Sequence, residues 1–181
     1  ESGYIFAGQG ARNSVGQLIE LAELLDWPIM VSPQGKGMMK SDHPLFAGIF
    51  GFAGNDSASK LINEGEGKTL LVIGSSLGET ATNNYNANMA KDRFLVQMDF
   101  DASVFNRKYE VDVPILGDLH LSLAFLIEEL KALGFAKKAE GPAEANEPQA
   151  DLTEFSTKNV LLKMQELLPA ETRYTIDIGE F

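Results

Sequence analysis

The sequence contains no cysteine and only two histidines, His43 and His120. A cysteine-free chain can form no disulfide, thiolate nucleophile, iron–sulfur cluster or cysteine-ligated zinc site. Two histidines cannot make a multi-histidine metal site, and neither has a serine or aspartate partner at a diagnostic spacing. We therefore assign neither histidine a catalytic role. The absence of cysteine is consistent with a reducing compartment, and we expect a cytoplasmic location.

Long hydrophobic runs and an excess of basic residues are also missing. No apolar run approaches the roughly 18 residues of a membrane-spanning helix. Lysine and arginine number 15 against 26 aspartates and glutamates, which gives a net charge of −11. A negative field of this size repels nucleic-acid phosphates and anionic lipids. We therefore expect neither a nucleic-acid partner nor a membrane association.

What is present is the pattern of an α/β protein of 181 residues, long enough for one substantial core. Short apolar or β-branched runs predict strands at residues 4–7, 29–31, 69–73, 94–98 and 113–116. Helical patterns lie between them, from Ser14 to Trp27, at 60–66, and at 119–133 after Asp118 as a cap. Residues 36–55 are predicted to be a glycine-rich loop region. This alternation predicts a doubly wound, mainly parallel sheet with helices on both faces, a Rossmann-like fold.

The composition changes near the C-terminal end of the sequence. Residues 136–151 are rich in Ala, Glu, Pro, Asn and Gln, which is typical of a solvated linker. One helix at 153–168 and one strand at 174–178 follow, too little for a core of their own. We therefore expect a main domain at 1–135, a linker at 136–151, and the start of a second, truncated domain at 152–181. Both ends of the sequence are expected to be boundaries within a longer chain.

Glycines follow most of the predicted strands. In an open α/β sheet, ligands bind beyond the carboxyl ends of the strands, where glycine admits a ligand to the backbone and leaves amides for phosphate oxygens. For each single glycine a tight turn is the favoured explanation, but the whole set favours a nucleotide-shaped site. The set comprises Gly8, Gly10, Gly35, Gly37, Gly74, Gly78 and Gly117.

A conventional nicotinamide site is disfavoured. The segment that starts at Gly8 follows a strand and precedes a helix, but Asn13 replaces the third glycine of the dinucleotide fingerprint. The acidic residue expected after the second strand is also missing. A second glycine series, Gly48, Gly51 and Gly54, could form either a wall against a cofactor or close packing around three phenylalanines.

Carboxylates also stand at the ends of two predicted strands. Asp99, Asp101 and Asp118 could accept hydrogen bonds from ribose hydroxyls. The alternative is structural, with Asp118 capping the following helix and Asp101 closing a turn.

Seven blocks of sequence, in this order, resemble the central domain of thiamine diphosphate-dependent enzymes of the acetolactate synthase and benzoylformate decarboxylase type. They are residues 5–10 (IFAGQG), 28–31 (PIMV) with 35–37 (GKG), 42–45 (DHPL), 48–51 (GIFG), 71–74 (LVIG), 97–101 (QMDFD) and 111–118 (VDVPILGD). Residues 167–169 (LLP) and 174–179 (YTIDIG) are similar to the start of the pyrophosphate-binding domain that follows in those enzymes.

The resemblance implies three α/β domains in the parent enzyme, of which the outer two hold the pyrimidine and the pyrophosphate of the cofactor. The activating glutamate and the magnesium-binding Gly-Asp-Gly motif belong to those outer domains, and this sequence contains neither. We therefore expect that the chain alone binds neither thiamine diphosphate nor magnesium and catalyses nothing. Its expected partners are the two outer domains and, in the full enzyme, further subunits of a homo-oligomer.

The resemblance also implies the fold of the FAD- and NAD-binding domains that sirtuins share. The central domain holds FAD in acetolactate synthase and pyruvate oxidase, ADP in oxalyl-CoA decarboxylase, and no nucleotide in several decarboxylases. Flavin-binding members place an arginine shortly after the glycine that ends the third strand, but residues 74–80 contain none. This difference argues against FAD and favours an ADP-like ligand or none. By position, the candidate contacts are Gly8, Gln9, Gly10, Gly35, Gly51, Gly74, Ser75, Asp99, Asp101, Gly117 and Asp118.

The function predicted from the sequence is therefore a non-catalytic central domain that spaces the outer domains, with an ADP- or FAD-type nucleotide site that is either retained or vestigial. The alternatives are a free-standing NAD-dependent enzyme, either a dehydrogenase or a sirtuin-like deacylase, and a nucleotide-sensing module.

Overall fold

Six parallel strands form the sheet of this protein, in the order β3-β2-β1-β4-β5-β6. The computed structural model describes residues 2–137, 153, 155–169 and 171–174, which fall into two units, Glu1–Ala143 and Glu144–Phe181. The all-parallel sheet lies in the first unit and confirms the predicted α/β fold. Its strands are β1 (Gly3–Ala7), β2 (Ile29–Val31), β3 (Phe46–Ile49), β4 (Thr69–Ile73), β5 (Phe94–Asp99) and β6 (Val113–Leu116).

Helices cover both faces of the sheet, as predicted. Helices α1 (Val15–Leu25) and α3 (Leu119–Ala132) pack on one face, and α2 (Asp56–Glu64) packs on the other. Successive side chains of each strand point to opposite faces, so Ile5 joins the α1–α3 core and Phe6 joins the α2 core. Strands buried on both faces are continuously apolar, which is why their runs were visible in the sequence.

Strand β3 was not predicted, because the region was assigned to a loop. It is a short edge strand whose side chains are mostly half-buried, and Gly48 interrupts its apolar residues. Gly48 within it has φ +102°, and the register with β2 shifts between Ile29 and Met30. A Cβ at Gly48 would lie 2.6 Å from Asn55 Oδ1, which favours close packing over a cofactor wall for this glycine.

Two predicted helix caps have different outcomes. Asp118 Oδ1 accepts a hydrogen bond from Leu121 N at 2.9 Å, which confirms it as the cap of α3. Ser14 occupies the N-cap position of α1, but its hydroxyl makes no capping hydrogen bond. Helix α1 ends at Asp26, whose left-handed φ of 55° turns the chain before Trp27 and Pro28.

The C-terminal end of α2 is held by one arginine from the start of β5. Arg93 Nε donates to Gly67 O at 3.0 Å, and Nη2 donates to Gly65 O at 3.1 Å and Leu61 O at 3.3 Å. Nη1 donates to Ile62 O at 3.0 Å and also to the Asn88 carbonyl. We call these five hydrogen bonds the Arg93 clamp. They bind carbonyls in the last turns of α2 and in the segment after it, where a helix end leaves carbonyls without intrahelical donors. Leu61 O also accepts from Gly65 N at 3.2 Å.

In the second unit, α4 (Thr157–Leu167) forms within the predicted helix, and the Ser156 hydroxyl accepts from Asn159 N at 3.2 Å. The predicted linker at 136–151 lies outside the described residues except for 136 and 137, and the predicted strand at 174–178 lies outside them except for Tyr174. None of the helices in the described ranges is both long enough and apolar enough to cross a membrane.

Candidate functional site

A pocket of about 280 Å³ opens at the carboxyl ends of β1 and β4. These strands are neighbours in the sheet, but the chain leaves β1 toward the α1 face and leaves β4 toward the α2 face. Such divergence at a topological switch point opens a crevice in parallel sheets. The pocket is lined by Gly8, Gln9, Ser32, Gln34, Gly74, Ser75, Ser76, Gly78, Thr80 and Ala81.

Glycines form the base of this pocket and pack directly against each other. A Cβ at Gly8 would lie 2.2 Å from Gly74 O, and one at Gly74 would lie 2.6 Å from Ala11 N. The Gly8, Gly10 and Gly74 amides donate to Ile73 O, Gly74 O and Met98 O, at 2.9, 3.0 and 2.9 Å. These three amides are therefore occupied, so the glycines serve close backbone contact and do not present free donors for phosphate.

The loop after β4, residues 74–82, forms one wall of the pocket. Two of its carbonyls accept hydrogen bonds from elsewhere in the protein. Gln97 Nε2 donates to Ser75 O at 2.9 Å, and Phe52 N donates to Thr80 O at 2.8 Å. The N–H and C=O of a trans peptide point in opposite directions. Within residues 2–137, the amides of Ser76 and Ala81 donate to no protein atom. These two amides therefore point away from Gln97 and Phe52, and Ser76 and Ala81 both line the pocket.

The lining of the pocket is polar but uncharged. Its side chains are hydroxyls, carboxamides and alanine, and it contains no Lys, Arg, Asp or Glu. A diphosphate here would meet backbone and hydroxyl donors without the charge-assisted hydrogen bonds of an arginine. The chain also carries a net charge of −11, which weakens the binding of any anion.

Two further predicted contact residues support the pocket without lining it. Gly35 N donates to Ser32 O at 2.8 Å and to Ser32 Oγ at 3.2 Å, which holds Ser32 at the rim. Gly51 has φ +125°, a conformation that L-residues rarely adopt, and its Cβ would lie 2.4 Å from Thr80 O. Both glycines therefore permit a close approach of backbones behind the pocket.

The three predicted carboxylates lie at other places in the fold. Asp99 is the last residue of β5, Asp101 follows that strand, and Asp118 precedes α3. None of them lines the pocket. Asp99 Oδ1 accepts from Asp101 N at 3.0 Å, and Asp101 Oδ1 accepts from Ser103 N at 2.9 Å. Hydrogen bonds from the Ser103 backbone and hydroxyl hold the pKa of the Asp101 carboxyl below its usual value. Asp118 caps α3, and at the neighbouring Gly117 a Cβ would lie 2.9 Å from Ser122 Oγ. Local turns account for these four residues.

Of the predicted contacts, Gly8, Gln9, Gly74 and Ser75 line the pocket, whereas the tightly packed Gly10 does not. Gly78, which belongs to the glycine set that predicted the site, also lines the pocket. Five further lining residues were not predicted: Ser32, Gln34, Ser76, Thr80 and Ala81. Their shared signal was position, since each lies within eight residues after the end of β2 or β4.

The pocket volume limits what the site could hold. About 280 Å³ lies at the lower end of the range for small-molecule pockets. A volume of this size suits part of a nucleotide better than a whole FAD. Within the described residues, no group of three or more histidine, aspartate or glutamate side chains could hold a metal ion.

Comparisons with known proteins agree with this architecture. Residues 1–126 match the family described as "Thiamine pyrophosphate enzyme, central domain". The probable acetolactate synthase large subunit of Methanococcus aeolicus is 31% identical over 128 residues, which cover 70% of this chain and 21% of that protein. The putative thiamine pyrophosphate-containing protein YdaP of Bacillus subtilis is 26% identical over 184 residues, covering 97% of this chain and 31% of that protein. Pyruvate decarboxylase of Neurospora crassa is 25% identical, covering 94% and 30%. The chain thus spans between a fifth and a third of the length of these relatives.

Proposed function

This chain belongs to the family of thiamine pyrophosphate enzyme central domains, and from that premise we propose that it is the non-catalytic spacer domain of a thiamine diphosphate-dependent carboligase or decarboxylase. The observation that carries the proposal is the family match over residues 1–126 of a chain that spans only 21–31% of its relatives. Thiamine diphosphate and magnesium would be held by other domains of the parent enzyme. A cytoplasmic location stays a prediction.

Contacts with the rest of the parent enzyme are part of this proposal. The outer face of α3 supports it, because Leu121 and Phe125, one helical turn apart, are 65% and 70% exposed. Large apolar side chains this exposed are typical of surfaces that another domain or subunit covers. We expect the outer domains, and further subunits of a homo-oligomer, to use such surfaces.

The pocket between β1 and β4 is proposed as an ADP-type nucleotide site. Backbone amides at Ser76 and Ala81 would serve a phosphate, and the neutral lining predicts weak binding. FAD is disfavoured by the pocket volume and by the absence of a lining cation. The same pocket could equally be a remnant that holds no ligand, and binding experiments separate the two.

The first experiment is a thermal-shift panel on this 181-residue chain with ADP, FAD, coenzyme A, NAD, and thiamine diphosphate with Mg²⁺. A ligand that binds only the folded state, present at 100 times its Kd, adds about 2.7 kcal/mol. For a domain of this size, that corresponds to a rise in Tm of roughly 5–10 °C. We expect ADP to raise the Tm more than FAD does.

A pair of variants at Gly78 makes the test specific to the pocket. Gly78 lines it, and a Cβ there would meet only Ser76 Oγ at 3.9 Å, so larger side chains fit without strain. Gly78→Arg should strengthen the ADP shift by adding a cation, and Gly78→Glu should abolish it. Gly16→Arg is the matched control, because it adds the same charge on α1, where a Cβ meets nothing within 4 Å.

Each outcome of the panel decides one part of the proposal. An ADP shift that does not respond to the Gly78 pair would place the nucleotide elsewhere. No shift with any nucleotide would reject the nucleotide site and leave the spacer role. A shift with NAD would favour the dehydrogenase or sirtuin alternative. Stabilisation by thiamine diphosphate, or decarboxylation of a 2-oxo acid by this chain, would overturn the non-catalytic assignment.

A further inference from the structure

One buried polar side chain in β5 is not explained by packing. Gln97 is 1% exposed and lies on the α2 face of the sheet, where Leu95 precedes it on the same side of the strand. Its register partner on β4 is Val72, which also belongs to that apolar core. An apolar side chain of similar size would fill this position without burying an amide.

The two polar atoms of Gln97 are in different situations. Nε2 donates to Ser75 O at 2.9 Å. Oε1 is inaccessible to solvent and has no hydrogen-bond partner among the described residues. A buried acceptor without a partner destabilises the folded state. The unpaired oxygen therefore costs stability, and the one hydrogen bond of the side chain goes to the loop after β4.

The hydrogen bond from Gln97 holds the peptide that joins Ser75 to Ser76, directly after Gly74. With Ser75 O held by Gln97, the opposite end of the same peptide, Ser76 N–H, points away from the core. The neighbouring Ser75 hydroxyl accepts from Leu77 N at 3.3 Å, and Leu77 has φ +51°. The conformation of the loop therefore depends on how the Ser75 peptide is oriented.

We propose that Gln97 is a positioning residue for the pocket: it orients the Ser75–Ser76 peptide and thereby the backbone donors of the loop after β4. This proposal rests on the proposed function, which makes this pocket the ligand site. Gln97 does not line the pocket, so it acts through Ser75. Its removal should loosen the loop while leaving the sheet intact.

The test is amide hydrogen exchange measured by NMR on the 181-residue chain. Phe52 N and Thr82 N donate to Thr80 O and Gly78 O at 2.8 and 3.0 Å, so their protection reports the placement of the loop. In Gln97→Met, we expect exchange at these two amides to be at least tenfold faster. Ile29 N, which donates to Leu45 O at 2.8 Å in the sheet, should be unchanged. Met98→Leu, on the other face of β5, is the matched control and should alter none of them.

A second variant tests the donor itself. Gln97→Glu keeps the shape of the side chain, and its carboxyl can donate to Ser75 O only while protonated. Burial would raise the pKa of that carboxyl. Relative to wild type at the same pH, Phe52 and Thr82 should exchange normally at pH 5 and faster at pH 8.

The ligand supplies a separate readout, with ADP as the probe. If ADP binds, Gln97→Met should raise its Kd at least tenfold while the Tm without ligand stays equal or rises. If ADP does not bind the wild type, the exchange data still decide the positioning role, and only the nucleotide proposal fails. Unchanged exchange at Phe52 and Thr82 in Gln97→Met, or faster exchange throughout the sheet, would overturn the proposal.

Discussion

The Arg93 clamp predicts a large loss of stability from one substitution far from the pocket. Arg93→Ala would remove the donor of all five hydrogen bonds of the clamp. Hydrogen bonds to charged groups contribute about 1.5–3 kcal/mol each when buried. Arg93 is only half-buried, so water replaces part of these contacts. We therefore expect the free energy of unfolding to fall by about 3 kcal/mol, well below the sum of five such bonds.

The assay is urea denaturation followed by fluorescence of Trp27, the only tryptophan in the chain. Its ring packs on β1, where a Cβ at Gly3 would lie 2.6 Å from it, so it reports unfolding of the sheet. Lys91→Ala is the matched control, an exposed cation two residues before Arg93, and should change stability by less than about 0.5 kcal/mol. Arg93→Lys should be intermediate, because one ammonium cannot reach carbonyls that a planar guanidinium spans.

Two results would refute this account of the clamp. A loss below about 1 kcal/mol in Arg93→Ala would mean that water replaces the guanidinium fully. Wild-type stability in Arg93→Lys would mean that charge alone, rather than the forked geometry, holds the end of α2.

Two further predictions concern the base of the pocket and the end of β5. Gly8→Ala should destabilise by about 2–3 kcal/mol, because its Cβ would meet Gly74 O at 2.2 Å. Gly16→Ala, in open space on α1, should stabilise by up to about 1 kcal/mol; equal Tm values for the two variants would contradict the packing. The pKa of Asp101 should be below that of an unfolded aspartate, so its contribution to stability is present above the unfolded-state pKa and lost as pH falls through the folded one. Ser103→Ala should raise that pKa in an NMR titration, and an unchanged value would contradict the role of the hydroxyl.

The central strands and the cap of α3 could be predicted from sequence because their causes are local. Residues 69–73 are buried on both faces, so every side chain is apolar or β-branched. Asp118 directly precedes a long helical pattern and caps it. Strand β3 was not predicted because it is only four residues long, contains a glycine at positive φ and lies in a glycine-rich region.

The pocket was predicted less completely, because its shape depends on contacts that join distant parts of the chain. The glycines were interpreted as open donors, yet the Gly10 amide is consumed by Gly74 O. The free donors are instead the amides of Ser76 and Ala81. The carbonyls of the same two peptides accept hydrogen bonds from Gln97 in β5 and from Phe52 in the turn after β3. The hydrogen bond from Gln97 to Ser75 O joins β5 to the loop after β4, so no pattern within a single segment predicts it.

The position of β1 in the middle of the sheet imposes an order on folding. Ile5 pairs with Ile29 on one side and with Leu71 on the other. One edge of β1 can be matched early by the nearby β2, but its other edge stays open until β4 has been synthesised. The pocket lies between β1 and β4, so it comes into existence only when the two halves of the sheet join. A ligand of the pocket can therefore stabilise the completed sheet by mass action, but it cannot promote the earlier pairing of β1, β2 and β3.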